Sequence, residues 1–318
     1  MNGIRKSLGA IVVCALAACG GEEGPGQSGG NGGGGGTPPV TTPAPSPTPS
    51  PVATISLSAD FVLQVQAGLN YTFANPSDPS LSSGYFQNSL VADPAAYELR
   101  YDHSEQSARI VAPDGQPTFA NGASGDPPPF RVFVNSDASV LSIGWFRPRD
   151  YVTAAIYSDA PVPGIVFGQN GFSADSFVLV AGRTSTTTTP IGNDQSPFAY
   201  NDQALIYSGT FDAEQQLRAG DATLYVASGT NNVTGSMPIY RTAAATQIFV
   251  GILEFTGTLD GFNKVSGTIR TIEGPDYTGT FEGALYGPQR DEIGLAFRFG
   301  PSGEQVADHG GIFLGIRD

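Results

Sequence analysis

The side chains able to do chemistry are few in this chain and poorly placed to act together. Asp291 and Glu292 are adjacent carboxylates. Acid–base work needs both to face one space, yet neighbours on a strand point to opposite faces. Glu292 is instead expected to accept backbone hydrogen bonds at the nearby Gly287-Pro288 turn, because buried polar groups take partners. Tyr101-Asp102-His103 puts a tyrosine and a histidine on one face if extended, and such residues can ligate haem. A single histidine without a pocket reads as a surface edge strand. The chain has two histidines, His103 and His309, far apart, and two cysteines, Cys14 and Cys19, both near the start. No disulfide framework or cysteine zinc site can exist beyond them. Phosphate loops of the G-x-x-x-x-G-K-[ST] type and H-E-x-x-H are absent. No catalytic residue, metal site or cofactor is expected.

Recognition is better supplied than catalysis. Trp145-Phe146-Arg147-Pro148-Arg149-Asp150-Tyr151 holds the single tryptophan and two arginines at a strand end. Trp, Tyr and Arg are the residues enriched in interface hot spots. Trp145, Arg147, Arg149 and Tyr151 are therefore the candidate ligand-binding residues. The competing reading has Trp145 and Tyr151 closing a local core.

Those residues need a scaffold, and the alternation is that of strands. No convincing amphipathic helix occurs. Early strands are expected at Phe61–Gln66, Tyr97–His103, Arg109–Ala112, Phe130–Asn135, Val140–Phe146, Val152–Ser158, Gly164–Gly168 and Phe177–Arg183, with a helical turn over Ser82–Asn88. Proline and glycine clusters separate them. A polar stretch, Ser185 to Asn201, reads as a long loop. Eight further runs follow: Ala204–Phe211, Ala222–Gly229, Val233–Tyr240, Gln247–Leu259, Lys264–Ile272, Tyr277–Tyr286, Glu292–Phe299 and Gly310–Arg317. Short connections between them predict an up-and-down antiparallel barrel. In Tyr277–Leu285, glycines 279 and 283 share a face with Tyr277, Phe281 and Leu285. Small and large residues alternating on one face suit the inside of a small, filled barrel.

The pattern Y-G-P-x-x-x-E-x-G-x-x-F, here Tyr286, Gly287, Pro288, Glu292 and Gly294, precedes a terminal G-G-x-F-x-G from Gly310. It resembles the β-barrel domain of transferrin-binding protein B, a family of bacterial surface lipoproteins. The family often has a second glycine where this chain has Leu295. The resemblance covers about the last 120 residues well and is looser upstream. It implies a filled eight-stranded barrel beside a smaller β-rich "handle". It also implies a partner among iron- or haem-carrying proteins or other host proteins, sometimes beside a TonB-dependent receptor. Family contacts lie on variable loops and on the handle, so none is carried onto a residue here.

The start of the chain reads as an address. Arg5 and Lys6 precede an apolar run, Leu8 to Leu16, too short to span a bilayer. Leu16-Ala17-Ala18-Cys19 resembles the lipobox of bacterial lipoproteins, which implies cleavage before Cys19 and its acylation. Several acyl chains make anchoring stable, and Gly20 in place of aspartate favours the outer membrane. Residues 19–54 are rich first in glycine and then in proline, unable to bury a core, and read as a tether. Its proline half would reach about 45 Å and the coil about 20 Å more. The expected organisation is signal peptide 1–18, lipidated tether 19–54, handle 55–190 and barrel 191–318.

A net charge of −14 argues against nucleic acid, which needs Lys and Arg to displace counterions. Two function classes remain. One is a cell-surface binding module, not an enzyme, for a protein or an iron or haem carrier. The other is a periplasm-facing carrier or enzyme using a barrel cavity. A cavity needs converging polar groups, whereas the expected inward face is Tyr, Phe, Leu and Gly.

Overall fold

A computed structural model describes residues 53–74, 85–112, 118–120, 130–135, 139–144, 149–158, 173–187, 198–208, 217–243, 246–302 and 309–318. Among the described residues every element is a strand, apart from a 3-10 turn at Pro94–Ala96. β1 (Phe61–Ala74), β2 (Tyr85–Leu90), β3 (Glu98–Asp102), β4 (Ser107–Val111) and β5 (Thr118–Ala120) come first. β6 (Phe130–Val134), β7 (Val140–Gly144), β8 (Val152–Ser158) and β9 (Ser173–Gly182) complete one sheet, ordered β5-β4-β3-β1-β9-β8-β7-β6 with β2 also on β1. This is the handle.

The second sheet contains β10 (Phe198–Ser208), β11 (Leu217–Ala219), β12 (Asp221–Val226), β13 (Asn232–Ala243), β14 (Thr246–Leu259), β15 (Lys264–Glu273), β16 (Tyr277–Tyr286), β17 (Glu292–Pro301) and β18 (His309–Arg317). β10, β12 and then β13 to β18 each pair antiparallel with the next, and β18 returns to β10. Eight strands thereby close on themselves, as the alternation predicted, and β11 adds to β13 outside the ring. Closure removes the unpaired edge that an open sheet presents.

The barrel interior is filled. Leu224, Val233, Met237, Ile239, Leu253, Phe255, Phe281, Leu295, Phe297 and Phe299 lie within one buried apolar cluster. Phe255 meets Phe281 and Phe297 edge-on, at centroid distances of 5.4 and 5.9 Å. The glycines make room for these rings. A Cβ on Gly267, paired across from Phe281, would lie 2.6 Å from that ring and 2.2 Å from the Thr256 carbonyl oxygen.

Both faces of the handle sheet carry buried residues. Phe61, Leu63 and Val65 of β1 belong to the handle's own core with Leu99, Phe133, Leu141 and Leu179. Further along β1, Ala67 and Leu69 belong to a different cluster, with Val178 and Val180. A bulge between Val65 and Ala67 makes the change, because one extra residue turns every later side chain to the other face.

Several sequence expectations differ from the structure. Tyr85–Leu90 is a strand on β1, where a helical turn over Ser82–Asn88 was expected; its backbone pairs in register from Leu69↔Leu90 to Ala74↔Tyr85. β1 runs to Ala74, eight residues past the expected end, held by β9 along that length. The barrel's first strand begins at Phe198, within the stretch expected as loop. The run Gly164–Gly168 lies outside the described residues. Both sheets fall in one compact unit, Ser50–Asp318.

Candidate functional site: the seam between handle and barrel

β16, β17 and β18 turn their outer faces toward the handle. Ala284, Tyr286, Ala296, Ile312 and Leu314 pack with Ala67, Leu69, Val152, Ala154, Val178 and Val180 into one buried cluster. An outer barrel face normally meets water, so apolar residues there signal a covering partner. Here the partner is the same chain.

Glu292 fixes the start of β8. Its Oε1 accepts the Asp150 N–H at 2.8 Å, and its Oε2 accepts those of Tyr151 and Val152 at 2.8 and 2.9 Å. The expectation that Glu292 accepts backbone hydrogen bonds holds. The expected donors, in the Gly287-Pro288 turn, are replaced by the handle backbone about 140 residues upstream. The reason is geometric: Glu292 lies on the outer face of β17, across from Tyr286, and points at the handle. Burial pushes its carboxyl above the usual range, against the pull of the three N–H groups and Arg149.

Arg149 corrects a second expectation. It was expected in an exposed recognition patch, but it is buried. Its Nη2 donates to the Leu314 carbonyl at 2.9 Å and pairs with Asp202 of β10. A guanidinium withdrawn from water needs such partners, and they come from the barrel. Tyr151 is half-buried against the same seam, between the Arg183 N–H and the turn at Gly287. Its hydroxyl is pushed up in pKa by burial first and by Asp291 next. Trp145 and Arg147 lie outside the described residues. The four candidates are therefore not one exposed patch.

The motif residues cluster at this seam. Gly287 takes φ 81°, open to glycine at little cost, and its N–H donates to the Arg183 carbonyl at 3.0 Å. A Cβ on Gly294 would lie 2.5 Å from Val180 Cγ1, so glycine there lets the handle lie directly on the barrel. The Tyr286 ring packs where a Cβ on Gly182 would fall, at 2.5 Å. Thr184 bridges Tyr286, and the Ser185 N–H reaches the Leu285 carbonyl at 3.0 Å.

No family model matches this sequence, and no curated protein matches it. Solved structures of transferrin binding protein B are similar to it. The isotype 1 protein of serogroup B Neisseria meningitidis aligns at 13% identity and TM-score 0.44, over 79% of this chain and 43% of that one. Two mutant forms from Haemophilus parasuis align at 12% identity, with TM-scores of 0.39 and 0.41, over 80% and 81% of this chain and 76% of theirs. This chain thus spans less than half of the meningococcal protein. The closed barrel and the handle stand on the strand pairing of this chain alone.

A polar cluster at the Gly287 end of the barrel escaped the sequence reading. Arg290 Nε donates to Asn263 Oδ1 at 2.8 Å, and Asn263 Nδ2 donates to the Ser185 and Thr187 carbonyls, both at 2.9 Å. The Tyr200 hydroxyl donates to the Arg290 carbonyl at 2.8 Å. Asn263 and Arg290 both have positive φ, 62° and 60°. Asparagine after the Asp260-Gly261 turn was the one available signal, since it tolerates that conformation. Nothing marked Arg290. These groups pin the start of the connection from β9 to β10 through the Ser185 and Thr187 carbonyls. Among the described residues no group of three His, Cys, Asp or Glu side chains is placed to hold a metal. Tyr101 packs on Phe61 and Phe133, and His103 Nδ1 lies 3.0 Å from the Leu57 carbonyl, so this pair forms part of the handle's packing.

Proposed function

We propose that this chain is an outer-membrane-anchored surface lipoprotein, lipidated at Cys19. It acts as a binding module, not an enzyme, for a protein or an iron or haem carrier, with a TonB-dependent receptor as its candidate neighbour. One observation carries the reading: the barrel interior is occupied by packed apolar side chains. A small-ligand carrier or enzyme built on a barrel needs an interior space with converging polar groups. Recognition is left to outer surfaces and loops, where the sequence resemblance also puts it. The lipobox and the 19–54 tether support delivery of such a surface away from the lipid.

Of the proposed contacts, Trp145 and Arg147 are retained as the candidates for the partner. Arg149 supports the seam. The test is capture from iron-carrier proteins, transferrin among them, by cells displaying the full chain. Arg147→Ala is expected to weaken capture with no change in stability. Undiminished capture by this variant removes the patch, and turnover of a substrate without any capture removes the binding-module reading. Cys19→Ala is expected to release the protein from the membrane and to abolish labelling by a palmitate analogue; an unlabelled native chain removes the anchor.

A further inference from the structure

The handle has a groove on the sheet face that also carries the seam, bordering the seam at Arg183, whose neighbour Gly182 packs on Tyr286. It measures about 590 Å³ and lies over the start of β1 and the β3–β4 hairpin, within the size range of small-molecule sites. Strand register builds its floor. Val62 pairs with Arg100, and Arg100 pairs with Arg109, so the three form a row across three strands on one face. Arg183, beyond β9, also lines the groove. The row is open to solvent: Val62 is 57% exposed.

The cations here are under-used. Arg100 gives Nε and Nη2 to Glu98. Arg109 and Arg183 have no carboxylate partner among the described residues, and Arg183 Nε is buried without an acceptor. In a chain of net charge −14, two arginines lining one groove without a carboxylate partner among the described residues stand out.

The other end of the groove is acidic. Asp60, Asp102 and Glu105 line it. Asp60 Oδ1 accepts the His103 N–H, and Asp102 Oδ1 accepts Ser104 Oγ and the Glu105 N–H. Those bonds fix the hairpin turn and hold the Asp102 carboxyl below its usual range. The second oxygen of each aspartate stays open, and Glu105 is exposed. Asp102 follows Arg100 by two residues on the same face, a separation of roughly 7 Å along a strand. An extended dipeptide spans roughly the same length.

We propose that this groove binds a short zwitterion with free termini, of dipeptide size, its carboxylate on the arginine row and its ammonium on the acidic end. The site needs no protein partner, so its failure and that of the partner reading are separate outcomes.

Titration calorimetry of the full chain in detergent with the dipeptide Ala-Ala tests it. Saturable binding at about millimolar or tighter is expected. Arg109→Gln should weaken it by about 10-fold, through loss of a charge-assisted contact. Glu105→Gln should weaken it by about 3-fold. Both side chains are exposed, so the thermal midpoint should not move. The C-terminally amidated and N-acetylated dipeptides should bind more weakly than the free one. No saturable heat up to about 10 mM, on the scale of weak affinities, overturns the site. So does equal binding of the capped dipeptides, indifference to both variants, or inorganic phosphate binding as well as Ala-Ala, which would mark a plain anion site.

Discussion

The barrel interior and the seam are both buried, but they are built from different materials. The interior is a cluster of apolar side chains around Phe255, Phe281, Phe297 and Phe299, with His309 buried against Phe299 at one end. The seam buries an apolar patch too, yet it adds Glu292 on three backbone N–H groups and Arg149 on Asp202 and Leu314. Ring closure alone fixes the register of the eight barrel strands, so their interior needs only to fill space. Between the two sheets the backbone pairing is limited to the short stretch around Thr184 and Tyr286. Apolar surfaces slide with little preference, whereas a carboxylate shared by three consecutive N–H groups has one position. Burial of such groups adds little net stability, and its best-attested use is to specify register.

Four measurements break or sharpen that contrast. The largest effect is expected at Glu292. Glu292→Ala leaves three buried N–H groups without their acceptor and removes a charge that attracts Arg149, a loss of about 3–5 kcal/mol by denaturant unfolding. A loss under about 1 kcal/mol would mean that apolar packing alone holds the seam.

The next effect depends on pH. His309 opens β18 under the rings of Phe299 and Tyr277, and burial lowers its pKa to about 4. The unfolded value is about 6.5. Between the two, the unfolded chain takes a proton that the folded chain refuses. Stability should therefore fall as pH drops from about 6.5 to about 4, by about 3 kcal/mol, and then level off. In His309→Phe that part of the pH dependence should vanish. An unchanged profile would show that another group titrates.

Overpacking separates the two regions directly. Gly267→Val in the barrel must displace the Thr256 carbonyl, whereas Gly294→Val in the seam first meets the Val180 side chain. Both should destabilise by about 1–3 kcal/mol, with Gly267 at the upper end. The reverse order would mean that the barrel is the softer region. The smallest effect is expected outside both. Arg270 pairs with Glu254 on the barrel surface at 2.6 Å, with the Arg270 side chain 69% exposed. Arg270→Ala should change stability by under about 1 kcal/mol, checked by the same unfolding midpoint. A larger loss would contradict an ordinary solvated face.

The barrel was legible because its signal is local. Alternation from Tyr277 to Phe299, with glycines opposite aromatic rings, is a property of adjacent residues, and all eight runs were found. The seam was not legible, because its partners lie far apart in sequence, 140 residues for Val152 and Glu292 and 165 for Arg149 and Leu314. Nothing in Trp145–Tyr151 indicates that Arg149 meets Asp202. The motif at Tyr286–Gly294 drew attention, but its turn suggested a local role for Glu292. In β1 the odd-numbered apolar residues run unbroken from Phe61 to Leu69, so the pattern conceals the bulge that divides them between two cores. The Ser82–Asn88 error has a similar source. A short segment without clear alternation takes its conformation from the strand it joins.

The bulged strand β1 has a mechanical consequence. It is the first strand after the N-terminal segment, and the Ile55 N–H just ahead of it donates to the Asp150 carbonyl at 2.6 Å. Pulling from the N-terminal side therefore loads β1 along its own axis. β9 holds it on one flank from Gln64 to Ala74, and β2 and β3 share the other. Many hydrogen bonds must then shear together, instead of breaking in sequence as in an unzipping hairpin. The residues past the bulge add resistance by gripping the barrel through Ala67 and Leu69. A pull from the N-terminal side is thus spread over both sheets before any strand can leave.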